Sequence, residues 1–490
     1  MNNLEILVDN TAQILIKVAV VIACLIVVLL LLKILSKVGK ISDVPLTKNK
    51  KVKIADGSLD HSKLDNGNNP NGFIFGIRKN LWEKEKVYLD CKNEGHIFVF
   101  GGSGSGKTSA LLIPSLKTWL GTFFVIDISG DIESNVDCEN KVIINPDDPE
   151  NSVVYDVLNF VSAAKDEQQK KERIDALVNL IVDKPTGITS DATNYYLETA
   201  RTILRASITA FYGQQMDFCQ ICEKVFFNSY DKLFEEIEKT GNEKAAAYVQ
   251  SLKGSNEKNI SGAKDELNKK IRMFADDENV QAIVHRPAYL GEAPDGTDII
   301  EEFFAPEIIE QKRVFLVIPD IKTEYYSTFM RVVTGQILDY LAARPFNKNS
   351  DTRILLALDE FASLGHVNIR EPLEKDRKRG VNICILTQSL AHLDLLYSQA
   401  ERKIILDNCQ YIAILGANEN DTRRYFSELV GKKEVIKTSV SRGRGGKSIS
   451  ESNQKEYIID PENWNKLGDE LILVHPGGYC KLEKNYYFKN

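Results

Sequence analysis

The stretch HIFVFGGSGSGKTSALLIPSL, which begins at residue 96, restricts the fold of this chain more than any other. Four apolar residues, Ile97 to Phe100, precede a glycine-rich turn, and apolar residues at helical spacing follow it. The turn satisfies the pattern G-x-x-x-x-G-K-[ST], whose required residues here are Gly101, Gly106, Lys107 and Thr108. The stretch therefore predicts a strand, a phosphate-binding loop and a helix, which together are typical of an α/β domain.

The residue types in this loop match the chemistry of a bound nucleoside triphosphate. Glycines let backbone N–H groups turn towards the β-phosphate, Lys107 neutralises the β and γ oxygens, and the Thr108 hydroxyl is a ligand for Mg²⁺. A turn that merely connects two elements is the alternative, but the pattern arises by chance in only about 2% of chains this long. We expect ATP and Mg²⁺ to bind here, with nucleotide contacts from Gly101, Gly102, Ser103, Gly104, Ser105, Gly106, Lys107, Thr108 and Ser109.

A second stretch, ILLALDEFASLGH at residues 354–366, ends five apolar residues with two carboxylates. Such a run predicts a strand buried on both faces, where an unpaired charge costs several kcal/mol, so the acids belong at the end of the strand. We expect Asp359 to hold Mg²⁺ through water and Glu360 to act as the base that polarises the attacking water. A simple helix cap is the alternative role for Glu360.

The 490 residues suggest more than one domain, and strand-like runs occur both before and after a long helical stretch. From Val157 to Arg286 the sequence has long polar–apolar periods and almost no strand-like alternation. We therefore predict an α/β nucleotide-binding domain interrupted by an inserted all-α domain. The predicted divisions are an anchor at 1–40, a linker at 41–72, the first part of the nucleotide-binding domain at 73–156, the insert at 157–297 and the second part at 298–490.

The amino terminus predicts a membrane anchor. Val18 to Leu32 is uninterrupted and apolar, and the wider stretch from Ala12 to Leu35 is long enough to span about 30 Å of hydrocarbon. A cleaved signal peptide would begin with basic residues, whereas acidic residues precede this stretch. An interfacial or core helix is the other alternative. The lysines that follow the stretch, Lys33, Lys37 and Lys40, predict a cytoplasmic carboxyl side.

Charge and cysteine content limit the classes of function less than the motifs do. A net charge of −7 excludes a uniformly basic nucleic-acid binder but allows a local basic channel. Among eight cysteines, Cys219 and Cys222 form a C-x-x-C in a helical segment, with no second pair for zinc, so we expect buried packing and reduced thiols.

A third glycine-rich stretch, SRGRGGKS from residue 441, resembles a second phosphate loop. Its first required glycine is replaced by Ser441, and no buried strand precedes it, so we expect a mobile basic loop, with a DNA contact as the alternative.

Several stretches together resemble the membrane-anchored coupling ATPases of type IV secretion and bacterial conjugation, the TraG/TraD-type proteins. The resemblance covers most of the chain from residue 95 onward, and LDEFASLGH is its most specific match. The chain departs from the family at residues 127–131, where DISGD replaces D-x-K-G-E, and in having one predicted span instead of two. The similar stretches are HIFVFGGSGSGKT with IPSLKTWLGTFFVIDISGD, LDEFASLGH, RGVNICILTQSLAHLDLLY, DNCQYIAILGANENDTRRYFSELVGKK and LILVHPGGYCKLEKNYYF.

The resemblance implies a RecA-like ATPase domain with an inserted all-α domain, anchored in the bacterial inner membrane. It also implies a homo-hexamer that feeds single-stranded DNA, with its attached relaxase, to a type IV secretion channel. The build is also compatible with a FtsK/HerA-type duplex DNA pump, an ATPase that couples effector proteins, or a docking receptor that binds nucleotide without hydrolysis. Glu360 argues against the receptor, which needs no acid to polarise water.

The resemblance also implies roles for two further residues. It places Gln388 at the end of a strand beside the acidic strand, where an amide can donate to the γ-phosphate and accept from water; capping of the next helix is the alternative. It makes Arg377 an arginine finger that acts on a neighbouring subunit. A solvated surface run is the alternative for the cluster Lys375, Arg377, Lys378 and Arg379.

Overall fold

A computed structural model describes residues 55–79, 83–183, 190–293, 295–345, 352–443 and 446–489. The predicted anchor and residues 41–54 of the predicted linker lie outside these residues. Within them, no helix is both long enough and apolar enough to cross a membrane.

The strands confirm both apolar runs that were predicted to be buried strands, Ile97–Phe100 and Ile354–Leu358. They are β1 (Asp65–Gly67), β2 (Gly72–Lys79), β3 (Lys84–Asp90), β4 (Ile97–Phe100), β5 (Phe123–Asp127), β6 (Lys141–Ile144), β7 (Val154–Tyr155), β8 (Tyr289–Glu292), β9 (Asp298–Ile300), β10 (Phe303–Phe304), β11 (Arg313–Val317), β12 (Ile354–Leu358), β13 (Val381–Thr387), β14 (Tyr411–Ile414), β15 (Lys432–Gly443), β16 (Gly446–Tyr457), β17 (Glu470–His475) and β18 (Gly478–Glu483).

Twelve of these strands form one sheet in the order β1-β3-β2-β18-β17-β14-β4-β13-β12-β5-β11-β6. The seven strands from β14 to β6 run parallel, and the five at the other end pair antiparallel. In the parallel part, β13 lies between the phosphate-loop strand β4 and the acidic strand β12. All three strands therefore end at the same edge of the sheet.

Helices cover both faces of the sheet, which is why its central strands are continuous apolar runs. Alternate residues of β4 enter different cores: Phe98 and Phe100 join one cluster, and Ile97 and Val99 join the other. The first cluster continues into the helices between residues 159 and 283.

The segment predicted to be helical contains α-helices and no strand between residues 159 and 283 of the described chain. Its helices are Asn159–Ser162, Glu167–Ile181, Asp191–Tyr212, Phe218–Phe227, Tyr230–Lys239, Glu243–Leu252, Glu257–Asp276 and Glu278–Ile283. Cys219 and Cys222 are buried in one of them, where burial raises the pKa of both thiols.

The α-helices of this segment do not continue to residue 297. After Ile283 the chain forms β8, which pairs with β9 around a bulge at Gly291. Parallel pairing of β7 with β10 then brings the two ends of the segment together. The extent of the insert as a separate domain stays a prediction.

The remaining helical elements are α-helices and shorter 3-10 or π turns. They are Lys107–Leu112, Ile113–Thr118, Asp131–Asn135, Pro149–Asn151, Pro306–Glu310, Asp320–Lys322, Ser327–Ala342, Phe361–Leu364, Arg370–Lys375, Asp376–Arg379, Leu390–Asp407, Asn420–Val430 and Pro461–Lys466.

The expectation of a mobile loop from Ser441 is also wrong for the described residues. Ser441 to Gly443 end β15, which pairs antiparallel with β16 over its whole length, up to Gly443 opposite Gly446. The preceding sequence alternates polar and β-branched residues, a pattern typical of a strand. The pattern predicts a strand only weakly, because few of the residues are large and apolar.

Candidate nucleotide-binding site

The predicted phosphate loop connects β4 to a helix that begins at Lys107. Gly104 and Gly106 have φ values of +69° and +93°, which residues with a Cβ rarely adopt. A Cβ on Gly101 would lie 2.4 Å from the Ser105 Oγ. The glycines therefore allow a turn tight enough to point its backbone N–H groups inward.

Two polar groups in the loop fit a bound polyanion. The buried Lys107 ammonium donates one hydrogen bond to the Gly101 carbonyl at 2.8 Å, which leaves two N–H donors for a ligand. The Ser105 Oγ is buried and has no hydrogen-bond partner within the described chain. Such groups are costly when they stay unpaired, and phosphate oxygens would pair them.

The acidic strand meets the loop through a hydrogen bond between residues 251 positions apart. The Thr108 Oγ1 donates to the Asp359 Oδ2 at 3.1 Å. The pKa of Asp359 is raised to about 6, chiefly by burial and also by Glu360, while Lys107 and Thr108 oppose the shift. The carboxylate is thus short of positive charge, and a divalent cation beside Thr108 would supply it.

Glu360 and Gln388 line one cavity of about 430 Å³ at the same edge of the sheet, together with Ser363 and His392. Glu360 is a non-glycine residue at φ +46°, a conformation that costs free energy and is often found at functional sites. Its side chain makes no capping hydrogen bond. Ser389, and not Gln388, caps the helix after β13. Neither side chain therefore has the capping role considered as its alternative.

The sequence did not single out Asp127 as part of this site. Asp127 is fully buried at the end of β5, next to the acidic strand. Its carboxylate accepts hydrogen bonds from the backbone N–H groups of Ser129, Gly130 and Glu133. Burial raises its pKa, and Asp359 adds to the shift. The sequence does contain a signal for this residue. TFFVID, like ILLALDE, is an apolar run that ends in a carboxylate.

Arg377 lies at the opposite edge of the sheet from Glu360 and Gln388. It precedes β13 and Gln388 follows it, and the seven residues of β13 extend about 23 Å. The Arg377 Nε lies 3.7 Å from the Glu94 Oε2, just before β4. Within one subunit the structure does not bring Arg377 to the other predicted site residues.

The other residues of the basic cluster differ in their surroundings: two face solvent, and one makes contacts within the fold. Lys378 is exposed and Lys375 pairs with Glu371 one helical turn away. Arg379 instead donates to the Arg344 carbonyl and lies 3.6 Å from the buried Asp376. The solvated-run alternative therefore describes Lys375 and Lys378 but not Arg379.

Comparison with known proteins agrees with this architecture. Relatives include the conjugal transfer protein TraG of Rhizobium radiobacter, 24% identical over 415 residues that cover 80% of this chain and 62% of the relative. The type IV secretion system-coupling protein VirD4 of Bartonella henselae is 23% identical over 419 residues, which cover 80% and 63%. The chain thus spans less than two thirds of the length of these relatives.

A solved structure of the bacterial conjugative coupling protein TrwB has the same fold. It superposes with a TM-score of 0.62 at 18% identity and covers 79% of this chain and 84% of that chain. The model of the family described as "Type IV secretory system Conjugative DNA transfer" matches residues 52–490. Because that match includes nearly all of the sequence, this chain belongs to the type IV secretory system conjugative DNA transfer family.

Proposed function

We propose that this chain is a coupling ATPase that recruits a DNA–relaxase complex, or an effector protein, and drives its transfer through a type IV secretion channel in conjugation. The observation that carries the ATPase assignment is the Thr108–Asp359 hydrogen bond beside the cavity of Glu360 and Gln388. Family membership supports the cargo and the channel.

The nucleotide in this proposal is ATP with Mg²⁺. Loop N–H groups and Lys107 would hold the phosphates, and Thr108 would ligate Mg²⁺ directly, with Asp359 acting through water. Mg²⁺, when bound, neutralises charge on the β and γ oxygens. Structures of the related TrwB hold ADP with Mg²⁺ and the ATP analogue ADPNP, which supports this choice.

For hydrolysis we assign the proton of the attacking water to the Glu360 carboxylate. The Gln388 amide lines the same cavity and can both donate and accept, so we assign it to orient that water while donating to a γ-phosphate oxygen. A docking receptor without turnover would have no use for this pair. A duplex DNA pump is the second candidate, because the same ATP-hydrolysing residues could drive either coupling or duplex translocation.

The assembly and location follow from the family resemblance. We propose a homo-hexamer anchored in the inner membrane by residues 12–35, with residues from about 55 onward in the cytoplasm, and the helical segment as the reader of cargo. Arg377 would act in trans, because it lies at the sheet edge remote from the cavity of its own subunit.

The Asp359→Asn variant should be more stable than the wild type at pH 7 when Mg²⁺ and nucleotide are absent. The folded-state pKa of about 6 lies above the ordinary 3.8, so folding favours the protonated acid. The penalty is absent below the unfolded pKa and grows as pH rises through the folded pKa, to about 3 kcal/mol at most. Thermal unfolding of both proteins at pH 4 and pH 7 tests this. An equal difference at both pH values contradicts the assignment, and added Mg²⁺ and ATP should stabilise only the wild type strongly.

The Glu360→Gln variant should bind ATP with nearly wild-type affinity but release phosphate at least about a hundredfold more slowly, because the amide keeps the shape and loses the basic oxygen. Lys107→Ala should weaken binding and turnover together. Equilibrium nucleotide binding and phosphate release measured on the same preparations separate the two effects. Wild-type turnover by Glu360→Gln removes Glu360 from its role.

Mixing Arg377→Ala with Lys107→Ala should restore part of the ATPase activity that each variant lacks alone. A mixed ring has some sites with an intact loop from one subunit and an intact arginine from the next. Arginine fingers contribute roughly 10³ to 10⁵ in rate, so the loss in each pure ring should be large. Lys378→Ala, an exposed neighbour, is the matched control and should stay active. If labelled subunits exchange and activity stays at zero, Arg377 does not act in trans.

A further inference from the structure

The carboxyl-terminal segment packs directly on the phosphate loop. The Tyr487 backbone N–H donates to the Ser109 carbonyl at 3.1 Å. A Cβ built on Gly106 would lie 3.1 Å from the Tyr486 Cε1 and 3.4 Å from its hydroxyl. The Tyr486 ring therefore stands over the last glycine of the loop, with the Lys489 ammonium 4.3 Å from its centroid.

The orientation of a nucleotide in the loop places its nucleoside at this segment. Glu360 and Gln388 mark the end of the site where the γ-phosphate lies. The loop holds the α- and β-phosphates by backbone N–H groups, so the chain of phosphates leaves it on the side away from Glu360. Tyr486 and Ser109 contact the loop or its helix, and neither lines the cavity of Glu360 and Gln388.

Behind Tyr486 lies a cleft of about 410 Å³, which is large enough for a nucleoside. Its lining includes Lys84, Asp469, Asn485 and Tyr486. Asn485 is only 2% exposed, and its Oδ1 accepts no hydrogen bond from any described residue. A buried acceptor left unpaired is unfavourable, so a ligand N–H that reaches it gains both the hydrogen bond and the relief of that cost.

We propose that this cleft binds the nucleoside part of the nucleotide. The Asn485 Oδ1 accepts a hydrogen bond from an N–H of the adenine base, and the Tyr486 ring packs against the ribose and base. The Tyr486 hydroxyl, 3.4 Å from an Asp469 oxygen, holds the ring in place. This assignment rests on the proposed binding of ATP at the loop. Contacts in the cleft would add to the affinity for ATP a contribution that the phosphates do not supply.

The test measures the affinity of the purified full chain for three probes: ATP, purine riboside triphosphate, which lacks the base N–H donors, and tripolyphosphate, which lacks a nucleoside. Wild type should bind ATP at least about fivefold more tightly than purine riboside triphosphate. Asn485→Leu should abolish that preference and leave tripolyphosphate affinity unchanged. Its thermal midpoint without ligand should not fall, because the substitution removes an unpaired acceptor.

Tyr486→Ala should weaken ATP at least about fivefold and spare tripolyphosphate, since stacking and packing on an aromatic ring contribute to nucleoside binding alone. Tyr195→Ala, a tyrosine 42% exposed on the helical segment, is the matched control and should change neither affinity. Equal wild-type affinity for ATP and purine riboside triphosphate overturns the role of Asn485. Parallel loss of ATP and tripolyphosphate, or no loss of either, overturns the subsite while the phosphate loop stands. A wild type that binds none of the three probes overturns the proposed nucleotide function as well.

Discussion

The carboxylate of Asp359 is buried at the end of a strand with a parallel neighbour on each side, and Thr108 is the hydroxyl that donates to it. A charge in that position is unfavourable unless positive charge is supplied, which is why its pKa rises to about 6. Gln388 follows the strand on one side and Asp127 ends the strand on the other, so the same edge gathers the other polar groups of the site. This unfavourable burial is why we propose that the metal and the phosphates bind at this edge.

Parallel pairing also places the groups of the proposed site at two different edges of the sheet. The loop, Glu360 and Gln388 occupy the carboxyl edge of the sheet, whereas Arg377 and its partner Glu94 occupy the amino edge. A residue on the amino edge reaches a nucleotide only if another subunit presents it. Two observations therefore support the proposal of a ring. Within one subunit Arg377 lies at the edge of the sheet away from the site, and the chain resembles a family of hexameric ATPases.

The local motifs were predictable because each places its chemistry within a few residues of one strand end. The phosphate loop, the acidic strand and the strand before Gln388 all appear as predicted. The position of β13 between β4 and β12, and the approach of Tyr486 to Gly106, depend on strand order and on a hairpin remote in sequence. No local pattern encodes them. Residues 441–443 and 446–448 were expected to lie in a loop because this stretch carries few large apolar residues, whereas cross-strand pairing makes them the ends of β15 and β16.

The central claim is that this sheet edge hydrolyses ATP to drive the transfer of single-stranded DNA. Its most direct test is phosphate release by the purified full chain with ATP and Mg²⁺. The measurement compares no DNA, single-stranded DNA and duplex DNA of equal length and concentration. The account predicts Mg²⁺-dependent turnover that single-stranded DNA stimulates more than duplex DNA does. Stimulation by duplex DNA alone would favour the duplex pump, and absence of turnover under all three conditions would contradict a hydrolytic site.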